Sequence, residues 1–122
     1  MSVRSDRGKA GERYVCDHLA KNGWTIDARN YRIRGGEIDI VAHKGEILAF
    51  VEVKTRRNRD FADPLQAVNY QKQKNLLRAI NHYIHYRKLD NPWRFDVITI
   101  VGRMGTTMPE IEHIEDFRLY FR

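Results

Sequence analysis

Apolar residues follow two different spacings along this chain, and the switches between them mark out its elements. Val15, Cys16, Leu19 and Ala20 recur at helical spacing. Ser5 or Asp6 can cap that stretch and Asn22-Gly23 can stop it, so a first helix is predicted to about Lys21. Alternation then takes over. Trp24 to Ile33 is predicted as a strand, irregular around Asn30, and Gly36 to His43 as a second. Lys44-Gly45 is expected to turn into a third strand over Glu46 to Thr55. "RRNRDFAD" reads as a basic polar loop. From Pro64 the helical spacing returns and runs to about Arg87, with a break near Asn69-Tyr70 and a buried face of Leu76, Leu77, Ile80, Tyr83 and Ile84. After a turn at Asn91-Pro92, Trp93 to Val101 and Glu110 to Ile114 read as a fourth and fifth strand. The tail "EDFRLYFR" fits a short helix or a strand equally well.

The element order is therefore helix, three strands, helix, two strands. Three consecutive strands can pair as an antiparallel meander. A long helix is the crossover that a parallel neighbour requires, so the fourth strand is expected beside the third. The expected architecture is an α/β sandwich around a mixed central sheet, formed by residues 1–122 as a single domain.

The third strand is apolar on both faces, with Leu48 and Phe50 on one and Ile47, Ala49, Val51 and Val53 on the other. That is the pattern of a strand covered on both sides. It nevertheless ends in Glu52 and Lys54, and the strand before it begins with Glu37 and Asp39. With Lys44-Gly45 as a two-residue turn, His43 faces Glu46, Asp39 faces Phe50 and Glu37 faces Glu52. Alternation then puts Asp39, Glu52 and Lys54 on one face at one end of the sheet. Charges at the edge of a core are costly unless paired or bound to an ion. Two readings are open. In one, Glu52 pairs with Lys54 or a nearby arginine and the cluster is structural. In the other, two carboxylates hold a hard divalent cation, Mg²⁺ or Mn²⁺, and a lysine orients water or steadies charge on a phosphoryl group. Glu37 competes with Asp39 as a ligand, since both lie on that face. Glu12 precedes Val15 and Cys16 by three and four residues, so it points towards the sheet. It can complete such a site, or serve only as an acid near a helix N-terminus.

Composition narrows the choice. The 122 residues carry a net charge of +6 alongside 42% hydrophobic residues, which suits a folded domain with an acidic partner such as nucleic acid. The single cysteine, Cys16, excludes an internal disulfide and a multi-thiolate zinc site, and is expected to pack as a small hydrophobe. No apolar run approaches a membrane span and the start lacks a signal-peptide core, so the expected location is the cytoplasm, away from membrane. "GKAGE" lacks the spacing of a phosphate-binding loop. His82 and His85, one turn apart without a third ligand nearby, read as exposed helix polarity. Arg94 and Asp96 read as an ion pair beside the acidic cluster.

"GEIDIV" followed by "FVEVKTR" resembles the Asp plus Glu-x-Lys signature of the PD-(D/E)XK nucleases, the restriction-endonuclease-like fold. The ordered set "GKAGERYVCDHLAKNGW", "ARNYR", "GEIDIV", "FVEVKTR", "AVNYQKQKNLLRA" and "RFDVITI" covers nearly the whole chain. It is similar to the YraN family of small, largely uncharacterised bacterial proteins, distantly similar to archaeal Holliday-junction resolvases. The resemblance implies Asp39 and Glu52 as metal ligands, Lys54 as the catalytic lysine and Glu12 as the acid on the first helix. It selects Asp39 over Glu37. The proline that often precedes the aspartate in that signature is replaced by Ile38.

Basic residues surround the acids. Arg56, Arg57 and Arg59 follow Lys54, Lys72, Lys74 and Arg78 lie on the long helix, and Arg4, Arg7, Lys9 and Arg13 lie around the first. Such a rim offsets the repulsion between acids and a polyanion, and contacts phosphates without reading sequence. Lys72 matches the lysine that the resembled family carries on that helix. The expected function is metal-dependent hydrolysis of DNA, structure-selective or non-specific, with a homodimer suited to cutting paired strands. The rival is a nucleic-acid-binding or assembly module that keeps the fold without the chemistry.

Overall fold

The computed structural model describes residues 3–56, 70–102 and 109–119, with only the backbone described for residues 3–9. The elements are α1 (Val3–Lys21), β1 (Thr25–Ile33), β2 (Gly36–Lys44), β3 (Ile47–Arg56), α2 (Tyr70–Tyr86), β4 (Trp93–Val101) and β5 (Glu110–Ile114). The described strands form one mixed sheet in the order β1-β2-β3-β4-β5, with β3 in the centre. Only β3 and β4 run parallel. No described helix is long and apolar enough to cross a membrane.

One helix covers each face. Val15, Cys16 and Leu19 of α1 pack on Ile40, Val51, Ile98 and Ile100. Leu76, Ile80 and Tyr83 of α2 pack on Ile38, Phe50, Phe95 and Val97. The two-sided apolar pattern of β3 has this cause: Leu48 and Phe50 face α2, while Ala49, Val51 and Val53 face α1. Ala20, placed in the α1 stripe by its spacing, is exposed instead, because the stripe ends at Leu19. There the chain leaves the helix through hydrogen bonds from Gly23 N–H to Ala20 and from Trp24 N–H to Leu19.

The hairpin register differs from the sequence expectation in an instructive way. The turn is Gly45-Glu46, not Lys44-Gly45, and Lys44 pairs with Ile47. Gly45 has φ +61°, the sign a type II′ turn needs at its first central residue. The whole pairing is displaced by two residues, so Phe50 faces Val41 rather than Asp39. A shift of two preserves every side chain's face.

β2 continues through Asp39, but that residue has no partner in either ladder. The ladder with β1 steps from Arg29↔Ile40 to Tyr31↔Ile38, skipping Asn30 and Asp39, and Asn30 has φ +52°. The ladder with β3 ends at Ile40↔Val51. Ile38 and Val41 both face α2, which strict alternation forbids, so the chain is kinked between them. The irregularity expected at Asn30 is therefore present as a positive φ with the register kept, whereas the register shift between β1 and β2 lies between Ile26 and Ala28.

Beyond the kink, the β1–β2 turn is held tightly against α2. A Cβ on Gly36 would stand 2.3 Å from the Asn75 carbonyl oxygen, a contact only glycine permits. The stretch from Pro64 to Asn69, expected as helix, and most of the "RRNRDFAD" loop lie outside the described residues. At the other end, Glu115-Asp116 form a turn and residues 117–119 are neither helix nor strand, so the described tail follows neither expectation.

Candidate functional site

The kink in β2 and the end of β3 open a cavity of about 620 Å³ beneath the N-terminal half of α2. Asp39, Glu52 and Lys54 all line it, together with Lys72 and Asn75 of α2 and Arg32 and Glu37 of the β1–β2 hairpin. Glu52 is paired across the sheet with Val97, on the α2 side. Its Oε1 receives Lys54 Nζ at 3.2 Å and Lys72 Nζ at 3.4 Å, so one oxygen bridges two ammonium groups. Asp39 Oδ2 accepts the backbone N–H of Val53 at 2.8 Å, an interstrand bond made by a side chain just past the end of the ladder.

Electrostatics set these groups apart from surface charges. Burial first, and then the facing Glu52 carboxylate, push the Asp39 carboxyl up to about 7, against the pull of the Val53 N–H. Burial works against the charge on Lys54, but its contacts with Lys72, Glu52 and Asp39 outweigh that and hold its pKa above the ordinary lysine value. Lys72 moves the other way: burial and the adjacent Lys54 lower it. Two acids and two amines thus share one recess in which their charges depend on each other. Asp39 and Glu52 are the two carboxylates held at the floor of the recess, while the Glu37 carboxylate in its wall is bound by Arg32. Among the described residues, no three His, Cys, Asp or Glu side chains form a metal-binding group.

The other residues singled out by sequence are distributed differently. Glu12 is buried on α1 but does not line the cavity. Burial raises its pKa, while a side-chain hydrogen bond with Asn30 and the charge of Arg29 oppose the rise. Glu12 nevertheless adds to the repulsion felt by Asp39. Glu37, the rival ligand, is exposed and bound to Arg32 at 3.1 Å. Arg56 is largely buried and held by Glu112 at 3.2 Å, a more internal place than a phosphate rim implies. Arg57 and Arg59 lie outside the described residues.

Arg94 and Asp96 do form an ion pair, at 3.1 Å, but not beside the acids. Both share the face of Ile98 and Ile100, against α1, so the sheet separates them from Glu52. Asp96 is fully buried and also takes His113 Nε2 at 2.7 Å and the N–H of Asp116 at 3.0 Å. Sequence reasoning missed His113. An aspartate inside the apolar run "RFDVITI" signals a buried acid in need of donors. His82, read as plain helix polarity, bonds the Tyr31 hydroxyl and stacks on Tyr86.

The chain matches the family described as Uncharacterised protein family UPF0102 over residues 11–100. A UPF0102 protein of Alkaliphilus metalliredigens is 48% identical over 95 residues, covering 77% of this chain and 83% of its relative. One from Bacteroides thetaiotaomicron is 41% identical over 116 residues, 95% of this chain and 94% of that one. One from Christiangramia forsetii is 36% identical over 121 residues, 99% of this chain and the full length of the relative. This chain belongs to the UPF0102 family.

Proposed function

We propose that the chain is a metal-dependent nuclease of the restriction-endonuclease-like, PD-(D/E)XK kind, hydrolysing phosphodiester bonds in DNA without reading base sequence. One observation carries the reading: Asp39, Glu52 and Lys54, from two adjacent strands, line a single recess in which the Asp39 carboxyl is pushed up to about 7. A carboxylate held that far from its ordinary value carries a stability cost that a purely structural acid has no reason to retain. The donor set fits Mg²⁺ or Mn²⁺, which bind through one or two carboxylates and complete their shell with water and phosphate oxygens. Such an ion supplies a polarised phosphoryl oxygen and a bound water of lowered pKa. Asp39 and Glu52 are the residues that would hold it. Lys54, charged and at the cavity wall, would bind the scissile phosphate and offset its developing negative charge. Lys72 adds a second cation from α2. Glu12 acts at one remove, through its field at Asp39.

A second reading, the nucleic-acid-binding module without chemistry, draws on a different observation. Glu52 Oε1 is already satisfied by two lysines, so the recess is partly neutralised without any ion. The two separate by experiment. Linear, single-stranded and branched DNA are incubated with Mg²⁺, Mn²⁺ or chelator. The nuclease reading expects metal-dependent cleavage of at least one form. It also expects Asp39→Ala and Glu52→Ala to stop cleavage while binding stays intact or tightens, because each removes a negative charge facing a phosphate. Lys54→Ala should lose both binding and rate. If Asp39→Ala cuts as fast as the parent, Asp39 is not a ligand. DNA binding without cleavage of any form favours the module.

A further inference from the structure

We propose that the outer edge of α2 is a track for a single-stranded segment of nucleic acid, leading into the acidic recess, with His82 and Tyr86 as the platform on which bases stack. The inference rests on the recess acting on nucleic acid and adds the form in which the strand is presented.

Asn75, Arg78, His82 and Tyr86 are spaced by three, four and four residues, so they lie on one stripe of the helix. Asn75 is in the cavity wall. Arg78 lies against the β1–β2 turn, where a Cβ on Gly35 would be 2.7 Å from its Nη1. His82 follows, hydrogen-bonded to Tyr31 of β1. Tyr86 ends the stripe, its ring 6.0 Å from that of His82 and within 7° of parallel. At 1.5 Å per residue the stripe is about 16 Å long. That is the length of about five stacked nucleotides at ~3.4 Å each.

The rings are set from beneath. Tyr31 packs edge-on to Tyr83 with centroids 5.1 Å apart, and Tyr83 packs edge-on to Phe50 in the core. A chain of aromatic contacts thus runs from the centre of the sheet outwards to Tyr86, which is 74% exposed. An exposed, pre-positioned pair of parallel rings offers what an unpaired base stacks on, regardless of its identity. A duplex keeps its bases stacked inside and presents no such face. Charge selects the same partner. Arg78, Arg87 and Lys88 are exposed along or beside the stripe. Of the acids on the adjoining strands, Glu37 is bound by Arg32 and Asp27 is hydrogen-bonded to His43. From Asn75 to Tyr86 the stripe itself carries no carboxylate, so a polyanion can follow it beside Arg78 and Arg87.

The test is fluorescence anisotropy of the full chain in chelator, so that no cleavage is required. The probes are labelled (dT)15, (rU)15 and a blunt 15-base-pair duplex. We expect at least one single strand to bind more tightly than the duplex. We expect Tyr86→Ala and His82→Ala to lower the single-strand to duplex affinity ratio about tenfold or more, and Tyr86→Phe to restore it. Circular dichroism of each variant reports folding. A parental preference for duplex overturns the proposal. So does an unchanged ratio in folded Tyr86→Ala and His82→Ala, which would leave the exposed rings to a protein partner. Metal-dependent cleavage that persists while the ratio is flat rejects the track and spares the nuclease reading. A stacking-dependent ratio with no cleavage of any substrate does the opposite.

Discussion

Asp39 is a residue whose geometry and energetics disagree. Its carboxylate does structural work, capturing the Val53 N–H, yet its environment resists the charge that makes it a good acceptor. An acid whose native pKa is raised binds its proton more tightly in the folded state. Stability is therefore fullest below the unfolded value near 4 and declines as pH rises through the native value of about 7. Asp39→Asn keeps an oxygen for Val53 and removes the charge. In chelator it should be more stable than the parent at pH 8, by on the order of 2 kcal/mol after allowance for solvent screening, with the difference vanishing near pH 4. Urea unfolding across that range measures it. A variant less stable at pH 8 would make Asp39 a plain structural residue. The same residue marks what alternation made legible. The turn expected at Lys44-Gly45 lies one residue later, which displaces the strand pairing by two, and an even displacement of the pairing leaves faces intact. What alternation could not convey is the kink itself, which depends on Asn30 in the left-handed region and on a side chain replacing a ladder bond.

At the scale of elements, the β1–β2 turn and α2 touch in the wall of the cavity, at a point where no side chain fits. Gly36→Ala would drive a Cβ into the Asn75 carbonyl, and neither backbone can yield without moving the helix that carries Lys72. The variant should lose about 1–3 kcal/mol of stability and lose Lys72-dependent phosphate binding with it. Denaturant titration and DNA affinity read the two effects, and wild-type values for both would show that the contact is loose. β5 depends on a different device. Asp96 gathers His113, Arg94 and the Asp116 N–H in the interior. Burial alone would raise its pKa, but these donors prevail and hold it below the ordinary aspartate value. A depressed carboxylate contributes stability above its unfolded pKa and loses it as pH falls through the native one. Asp96→Ala should cost about 3–5 kcal/mol at neutral pH. Acid should erase that difference, and amide exchange should quicken first along β5. Long-range partners of this kind leave little trace in a sequence. Asp96 stood out as a charge in an apolar run, whereas His113 sits in a polar segment that says nothing of its destination.

For the molecule as a whole, the net charge is +6, and among the described residues its basic side chains differ in how freely they are presented. Lys72 faces the cavity and is well exposed, while Arg56 is mostly buried against Glu112. Affinity for nucleic acid should fall steeply with salt, and Lys72→Ala should lower the slope of log affinity against log salt by about 1. Arg56→Ala should change that slope less. Salt titration of a labelled duplex distinguishes them, and equal slopes for both variants would return Arg56 to the rim.

The parallel pairing of β3 with β4 also dictates an order in time. β1, β2 and β3 meet through two short hairpins, whereas β4 reaches β3 only after the chain from Arg56 to Trp93 has closed a loop. Loop closure is slow and must precede its reward, so the meander should condense first. In a kinetic series, Val41→Ala and Phe50→Leu should retard folding, while Ile98→Val should chiefly hasten unfolding. The same order has a consequence on the ribosome. On that order Asp39 and Glu52 would be brought together before Lys72 of α2 is packed over them, leaving Lys54 and the Val53 N–H to offset their repulsion. Divalent cation present during refolding should therefore speed the early phase of the parent protein and leave that of Asp39→Asn unchanged.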